Sequence, residues 1–208
     1  MKQIKLIRRN IRSNKNIFVF LFIFGLIGII SGSLLAIVLD GNDSKLVTEY
    51  LNNFLSSIIN NSLNFKSSFL NSLLCNIGSC LSVWFLGISI IGIPLILIIY
   101  FSKSFILGFS VSSIIINYKM KGCLIAFAYI FPHLIFNILN IACLSAYSLS
   151  LSFKLFNVFL HKESFNFKSF RNKYFLILIF SLISFAISSL FEVFISPFFL
   201  KFVLGNKL

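Results

Sequence analysis

Long apolar stretches with almost no charge constrain the fold of this chain more than any other feature. A helix needs about 20 apolar residues to cross the ~30 Å of hydrocarbon in a bilayer. Residues 17–39, 73–91, 93–117, 123–151 and 174–200 are long enough or nearly so. Only 11% of the residues are charged, against about a quarter in soluble domains. We therefore predict an all-α, polytopic transmembrane bundle of about five spans, forming one integral membrane domain over residues 1–208.

The basic residues predict how the chain is oriented in the membrane. Lys and Arg number 18 against five acids, and they gather at the ends of the apolar stretches. Residues 1–16 and 154–173 are strongly basic, whereas residues 40–72 hold three of the five acids. Basic loops stay in the cytoplasm. We therefore expect a multi-pass cell-membrane protein with a cytoplasmic N-terminus. Because no nucleic-acid motif accompanies the charge, its partner is expected to be membrane lipid and not nucleic acid.

The connection between the second and third spans has two interpretations. The chain turns at Gly92–Pro94, which leaves Lys103 inside the membrane. Alternatively, the second helix continues to Lys103, and residues 104–117 return as a segment too short for an upright span. Both interpretations stay open from the sequence.

Residues 44–66 show the spacing of an amphipathic helix. Apolar pairs recur every four residues, and Asn and Ser lie between them. The polar face is largely uncharged. We predict a helix on the outer membrane surface or against a partner protein, with contact through Leu51, Phe54 and Ile58. A flap packed on its own bundle is an equal alternative.

Small residues in the first span predict close helix packing. Gly28, Gly32 and Ala36 follow the small-xxx-small spacing that lets two backbones approach closely, and Gly25 precedes them. Contact within the same chain is favoured over a dimer contact.

Several polar side chains interrupt the apolar spans: Lys103, His133, Asn137, Asn140 and Glu192. A charge in hydrocarbon costs about 2.5–3.5 kcal/mol on insertion scales, so it should be paired or face the bundle interior. Our hypothesis is that Glu192 pairs with His133 or Lys103 and fixes the docking of the last helix. An ion or proton relay is the alternative. Pro132 and Pro197 predict kinks.

The sequence contains none of the motifs typical of soluble catalytic sites. It has no HExxH, no GxSxG, no phosphate-binding glycine loop and no paired CxxC spacing. Two Gly-x-Ser triplets, at 87–89 and 108–110, are too short to indicate an intramembrane protease with His133. We expect no enzyme activity, no catalytic residue, no cofactor and no metal.

The segment VWFLGISIIGIPLIL (83–97), followed by FSKSFILGF (101–109), resembles the signature of the stage II sporulation protein M family. The basic N-terminus, FPHLIFNI (131–138) and FEVFISP (191–197) follow in the expected order, so the resemblance covers essentially the whole chain. The residues that carry it are Gly87, Gly92, Pro94, Lys103, Gly108, Phe109, Pro132 and Pro197.

This resemblance implies a membrane scaffold for engulfment during endospore formation. It implies a location on the mother-cell side of the septum and in the engulfing membrane. The implied partners are two peptidoglycan-degrading enzymes, stage II sporulation proteins D and P. One departure concerns the family pattern Pro-His-Gly-x-x-Glu, since Leu134 and Asn137 replace its Gly and Glu. A permease-like transporter subunit is the alternative function.

Overall fold

The computed structural model describes residues 15–60, 64–161 and 167–205, and within these ranges the chain is helical with no strand. The helices are α1 (Lys15–Val38), α2 (Gly41–Ile59), α3 (Phe65–Leu86), α4 (Gly92–Ile125), α5 (Phe131–His161), α6 (Phe167–Leu190) and α7 (Ser196–Gly205). Two π-helical segments, Ala126–Ile130 and Phe191–Ile195, precede α5 and α7. The predicted all-α class is confirmed.

Five described helical stretches are long and apolar enough to cross a bilayer: Lys15–Val38, Phe65–Leu86, Gly92–Ile130, His133–Leu160 and Asn172–Phe202. The predicted number of spans is confirmed. The third span ends at Ile130, 13 residues beyond the predicted residue 117, and the second span begins eight residues before the predicted residue 73. Asn64 explains this start, because its side chain caps α3 by accepting a hydrogen bond from the Ser67 amide.

The turn between α3 and α4 lies at residues 87–91, just before the predicted Gly92–Pro94, and α4 then runs through Lys103 as the first interpretation expected. Gly92 is required there, since a Cβ atom would collide with the Leu86 backbone. Pro94 lies in the first turn of α4, where a missing N–H is tolerated. Lys103 therefore lies inside a continuous membrane-spanning helix, and a second helix reaching Lys103 is wrong.

The chain turns again at Lys119, a residue with positive φ (51°) that marks a kink within the helical stretch of α4. Gly122 lies so close to the preceding helix that an added Cβ atom would be 2.9 Å from the Ile115 Cα atom. The helix that follows ends at His161, ten residues beyond the predicted 151.

The basic segment 154–173, predicted as a loop, is helical at both of its ends, and residues 162–166 lie outside the described residues. The physical reason is that charge alone does not interrupt a helix, and this segment contains neither Gly nor Pro.

Helices α1 and α4 pack against each other through glycine. A Cβ atom at Gly28 would lie 2.8 Å from the Ser104 Cβ atom, and one at Gly32 would lie 2.9 Å from the Phe109 backbone nitrogen. From the other side, a Cβ atom at Gly108 would lie 2.8 Å from the Ile29 Cα atom. The predicted close contact within the same chain is confirmed.

Helix α2 packs its apolar face on the chain's own bundle, the second of the two predicted arrangements. Ile58 is only 1% exposed, and Leu51 and Phe54 are partly buried against the same cluster. Phe54 makes an edge contact with Tyr129, with ring centroids 5.3 Å apart. The assignment of Ile58 to a partner or membrane contact is therefore wrong, because hydrophobic burial already occupies this face. The helix also ends at Ile59, not at residue 66.

Candidate functional site: a polar cavity between the spans

Polar side chains from α3, α4, α5 and the second π segment surround a cavity of about 270 Å³. Its polar or titratable lining residues are Ser72, Cys75, Asn76, Lys103, His133, Asn137 and Glu192. Ile106, Leu134, Ile138, Ile141 and Phe185 complete the wall. Of the five polar residues predicted from the sequence, the fold brings four to this cavity.

Glu192 is bound by hydroxyl groups. The Ser72 hydroxyl lies 2.5 Å from Glu192 Oε2, the geometry of a charge-assisted hydrogen bond. It also lies 3.2 Å from the Ser189 hydroxyl, which in turn accepts a hydrogen bond of 3.1 Å from Asn76 Nδ2. These contacts connect α3 to the last span. A carboxylate has about four acceptor positions, so Ser72 alone does not satisfy it.

A hydrogen bond to the backbone defines the tautomer of His133. Its Nδ1 lies 2.8 Å from the Tyr129 carbonyl oxygen, and because a carbonyl only accepts, Nδ1 carries the proton. In the neutral ring Nε2 is then an acceptor. His133 is 5% exposed, and its carbonyl accepts a hydrogen bond from the Ser188 hydroxyl.

Lys103 and Asn137 have weak or missing partners. The Lys103 ammonium lies 3.9 Å from Cys75 Sγ, and a thiol is a poor partner for a cation in hydrocarbon. Asn137 Oδ1 is buried without a hydrogen-bond partner. Unmatched polar atoms of this kind are rare in proteins, and such an atom points to an unseen partner.

Asn140 has a structural role instead. Its side-chain nitrogen donates a 3.0 Å hydrogen bond to the Ser181 carbonyl, which joins α5 to α6. The predicted pairing of Glu192 with His133 or Lys103 stays a prediction. The three groups line the same cavity, and the hydrogen bonds described for them go to Ser72, Tyr129 and Cys75.

Two π segments flank the cavity, and each ends two residues before a proline, Pro132 or Pro197. A proline has no N–H to donate, so the helical ladder must rearrange around it. In the second segment the Ser196 amide bonds the Phe191 carbonyl, a wider i to i−5 step. The predicted irregularities at both prolines thus take the form of π turns, one of which carries Glu192.

The contribution of α3 to the cavity was not predicted from the sequence. Ser72, Cys75 and Asn76 lie one turn apart and share a helix face. This spacing was the available signal. It is not conspicuous, because the predicted second span begins only at residue 73 and Ser and Asn are common throughout the chain.

Metal binding has no support in the described ranges, where no group of three or more His, Cys, Asp or Glu side chains is placed to hold an ion. The cavity offers one carboxylate, one imidazole and one ammonium, a mixture suited to hydrogen bonding and charge pairing.

The outward face of α2 is a second candidate surface. Leu46 and Tyr50 are 63% and 72% exposed and lie one turn apart. Asn42 and Asn53 are also exposed on this helix, together with Asp43 and Glu49. Two of the described hydrogen bonds join α2 to α4, from Thr48 Oγ1 to Asn117 Oδ1 and from the Tyr118 hydroxyl to Asn52 Oδ1, each 2.6 Å long.

These features define a polytopic helical membrane protein with a surface helix between its first two spans. The family model of stage II sporulation protein M matches residues 18–197, which is most of the chain. The chain therefore belongs to the stage II sporulation protein M family and is a sporulation membrane protein. The family is not a known enzyme family. No curated protein and no solved structure gives a significant match.

Proposed function

We propose that this protein is a non-enzymatic membrane scaffold of the engulfment complex. It recruits peptidoglycan-degrading enzymes, namely stage II sporulation proteins D and P, to the septum and to the engulfing mother-cell membrane. The observation that carries this proposal is the family match over residues 18–197 in a chain whose surface helix α2 exposes Leu46 and Tyr50. An exposed aromatic and aliphatic pair, with amide and carboxylate side chains around it, is suited to a protein contact that has an apolar centre and a polar rim.

The contact surface differs from the one predicted from the sequence. Asp at Leu51 or Phe54 would detach α2 from the bundle, since both side chains pack on it. Such variants confuse loss of partner contact with loss of structure. Leu46 and Tyr50 point away from that contact, so changes there test docking alone.

The test is co-purification of proteins D and P from sporulating cells that carry Leu46→Asp together with Tyr50→Asp. The scaffold proposal predicts loss of both enzymes from the complex at unchanged protein level. Met120→Asp is the matched control, because Met120 is also highly exposed, in the turn at the same end of the bundle. Retention of both enzymes by the double variant would reject the contact.

Orientation is part of the proposal, with α2 on the outside and the N-terminus in the cytoplasm. Cysteine introduced at Met120 should react with a membrane-impermeant maleimide in intact cells. Cysteine at Asn172, at the other end of the bundle, should react only after lysis. The reverse labelling pattern would overturn the orientation.

The cavity favours a second candidate function, a permease-like transporter subunit, because an intramembrane polar cavity with charged lining is typical of substrate pathways. Co-purification with an ATPase, or flux through vesicles that contain the purified protein, would support it. Loss of sporulation in Lys103→Met with proteins D and P still bound would also favour transport over scaffolding.

A further inference from the structure

The unmatched groups around the cavity define the chemistry of a ligand. Lys103 lacks an anionic partner at hydrogen-bond distance in the described structure, and its nearest described polar contact is a thiol at 3.9 Å. The Glu192 carboxylate has one described hydrogen bond, from Ser72. Asn137 Oδ1 accepts none. A ligand that completes this set must therefore bring an anionic group for Lys103 and N–H donors for Glu192 and Asn137.

The net charge of the cavity narrows the choice among ligands that have both an anionic group and N–H donors. Glu192 and Lys103 carry opposite formal charges, so a purely anionic or purely cationic ligand would leave a net charge in the hydrocarbon, which is costly. A zwitterion preserves neutrality while supplying both kinds of partner. The cavity volume of about 270 Å³ accommodates a small polar group of this type.

We propose that this cavity binds a small zwitterion, with its phosphodiester at Lys103 and its primary ammonium at Glu192 and Asn137. This site is independent of the scaffold surface on α2. Two sources have this chemistry, the headgroup of phosphatidylethanolamine and free glycerophosphoethanolamine. Ile106, Leu134 and Ile138 provide the apolar wall that lies beside the headgroup.

Binding is tested with the full-length protein purified in detergent. The probes are dihexanoyl phosphatidylethanolamine, dihexanoyl phosphatidylglycerol and free glycerophosphoethanolamine, titrated by microscale thermophoresis. Lys103→Met and Glu192→Gln should each weaken zwitterion binding by about ten- to a hundredfold, the effect of one charge-assisted hydrogen bond. Lys66→Met and Glu49→Gln are matched controls with the same charge changes at exposed positions outside the cavity, and they should bind as the unmodified protein does.

Comparing the probes distinguishes a lipid headgroup from a free zwitterion as the ligand. Binding of phosphatidylethanolamine alone assigns a lipid site, and binding of glycerophosphoethanolamine as well assigns a site for free zwitterions. Equal binding of phosphatidylglycerol, binding of no probe, or unchanged affinity in both cavity variants would each overturn the proposal.

Cys75 supplies a second measurement, because it lines the cavity beside Lys103. Occupancy should slow its alkylation at least severalfold while leaving Cys123 unaffected, as read by peptide mass spectrometry. Cys123 is exposed and is not a lining residue of the cavity. Equal protection of both cysteines, or of neither, would contradict binding in this cavity.

Discussion

The contact between α1 and α4 and the contact between α3 and the last span use opposite means to join helices. Along α1 and α4, glycines allow backbone to meet backbone, and no cavity separates the two helices at Gly28, Gly32 and Gly108. Between α3 and the last span, hydroxyl and amide side chains connect the helices, and a cavity remains beside them. The comparison shows how one bundle combines a closely packed support with a region that has room for a ligand.

Both solutions follow from the membrane environment. Apolar side chains gain little by leaving lipid for another helix, so association depends on close packing and hydrogen bonds. The glycine contact between α1 and α4 depends on close packing, and the serine contact between α3 and the last span depends on hydrogen bonds. Substitutions that change ligand binding without unfolding the protein are therefore expected between α3 and the last span, where side chains and not backbone atoms form the contact.

The largest effect is expected at the glycine contact. Gly108→Leu should lower the free energy of unfolding by about 3 kcal/mol, since its Cβ atom would lie 2.8 Å from the Ile29 backbone. Gly78→Leu is the control, because nothing lies within 4 Å of an added Cβ atom there. Trp84 is the only tryptophan and stacks on Tyr174, so its fluorescence reports unfolding in mixed micelles. Equal effects at Gly78 and Gly108 would remove the contrast between the regions.

An intermediate effect is expected at the serine contact. Ser189→Ala should cost about 1–2 kcal/mol, because the buried Asn76 amide loses its acceptor. Ser79→Ala, on the same helix as Asn76, removes only a bond to the carbonyl one turn earlier and should be nearly neutral. The same mixed-micelle titration measures both variants, and a neutral Ser189→Ala would show that the polar network contributes nothing to docking.

Glu192→Gln should change stability by less than about 1 kcal/mol, since the Gln carbonyl still accepts from Ser72. Measuring sporulation efficiency in this variant distinguishes a structural role of the Glu192 side chain from a role of its negative charge. If Glu192 pairs with His133 or Lys103, this variant should impair assembly or function although the fold persists. Unchanged assembly and function would make the pairing hypothesis wrong.

The smallest effect is expected on α2, which borders both regions without belonging to either. Thr48→Val removes the 2.6 Å hydrogen bond to Asn117 and should cost about 0.5–1 kcal/mol. Hydrogen exchange should increase in residues 41–59 and not in α1 or α4. Exchange that increases throughout the bundle would show that α2 is part of the global fold.

The sequence predicted the parts of this fold that depend on local composition. Span number follows from apolar length, and the α1 contact follows from glycine spacing, since Gly28 and Gly32 have few uses in a span other than close approach. The turn at Gly92–Pro94 was one of two alternatives. The structure decided between them because the Gly92 backbone lies directly against Leu86.

The candidate site was predicted only in part. Lys103, His133, Asn137 and Glu192 are conspicuous in apolar sequence, and all four line the cavity. Ser72 and Asn76 were not predicted, because Ser and Asn are frequent in this chain and neither carries a charge. Asn140 shares a helix face with His133 and Asn137, but its side chain bonds the Ser181 carbonyl. The helical spacing alone therefore did not distinguish a residue that lines the cavity from one that joins two helices.

The amino-acid sequence by itself determined that the chain is a five-span helical membrane protein, because the length and polarity of each segment fix its partition between lipid and water. Only the tertiary structure decided which polar groups meet and which remain unmatched. It also decided that Ile58 faces the bundle while Leu46 and Tyr50 face outward. These outcomes depend on how helices distant in sequence rotate against one another, and the periodicity of a single helix does not encode that rotation.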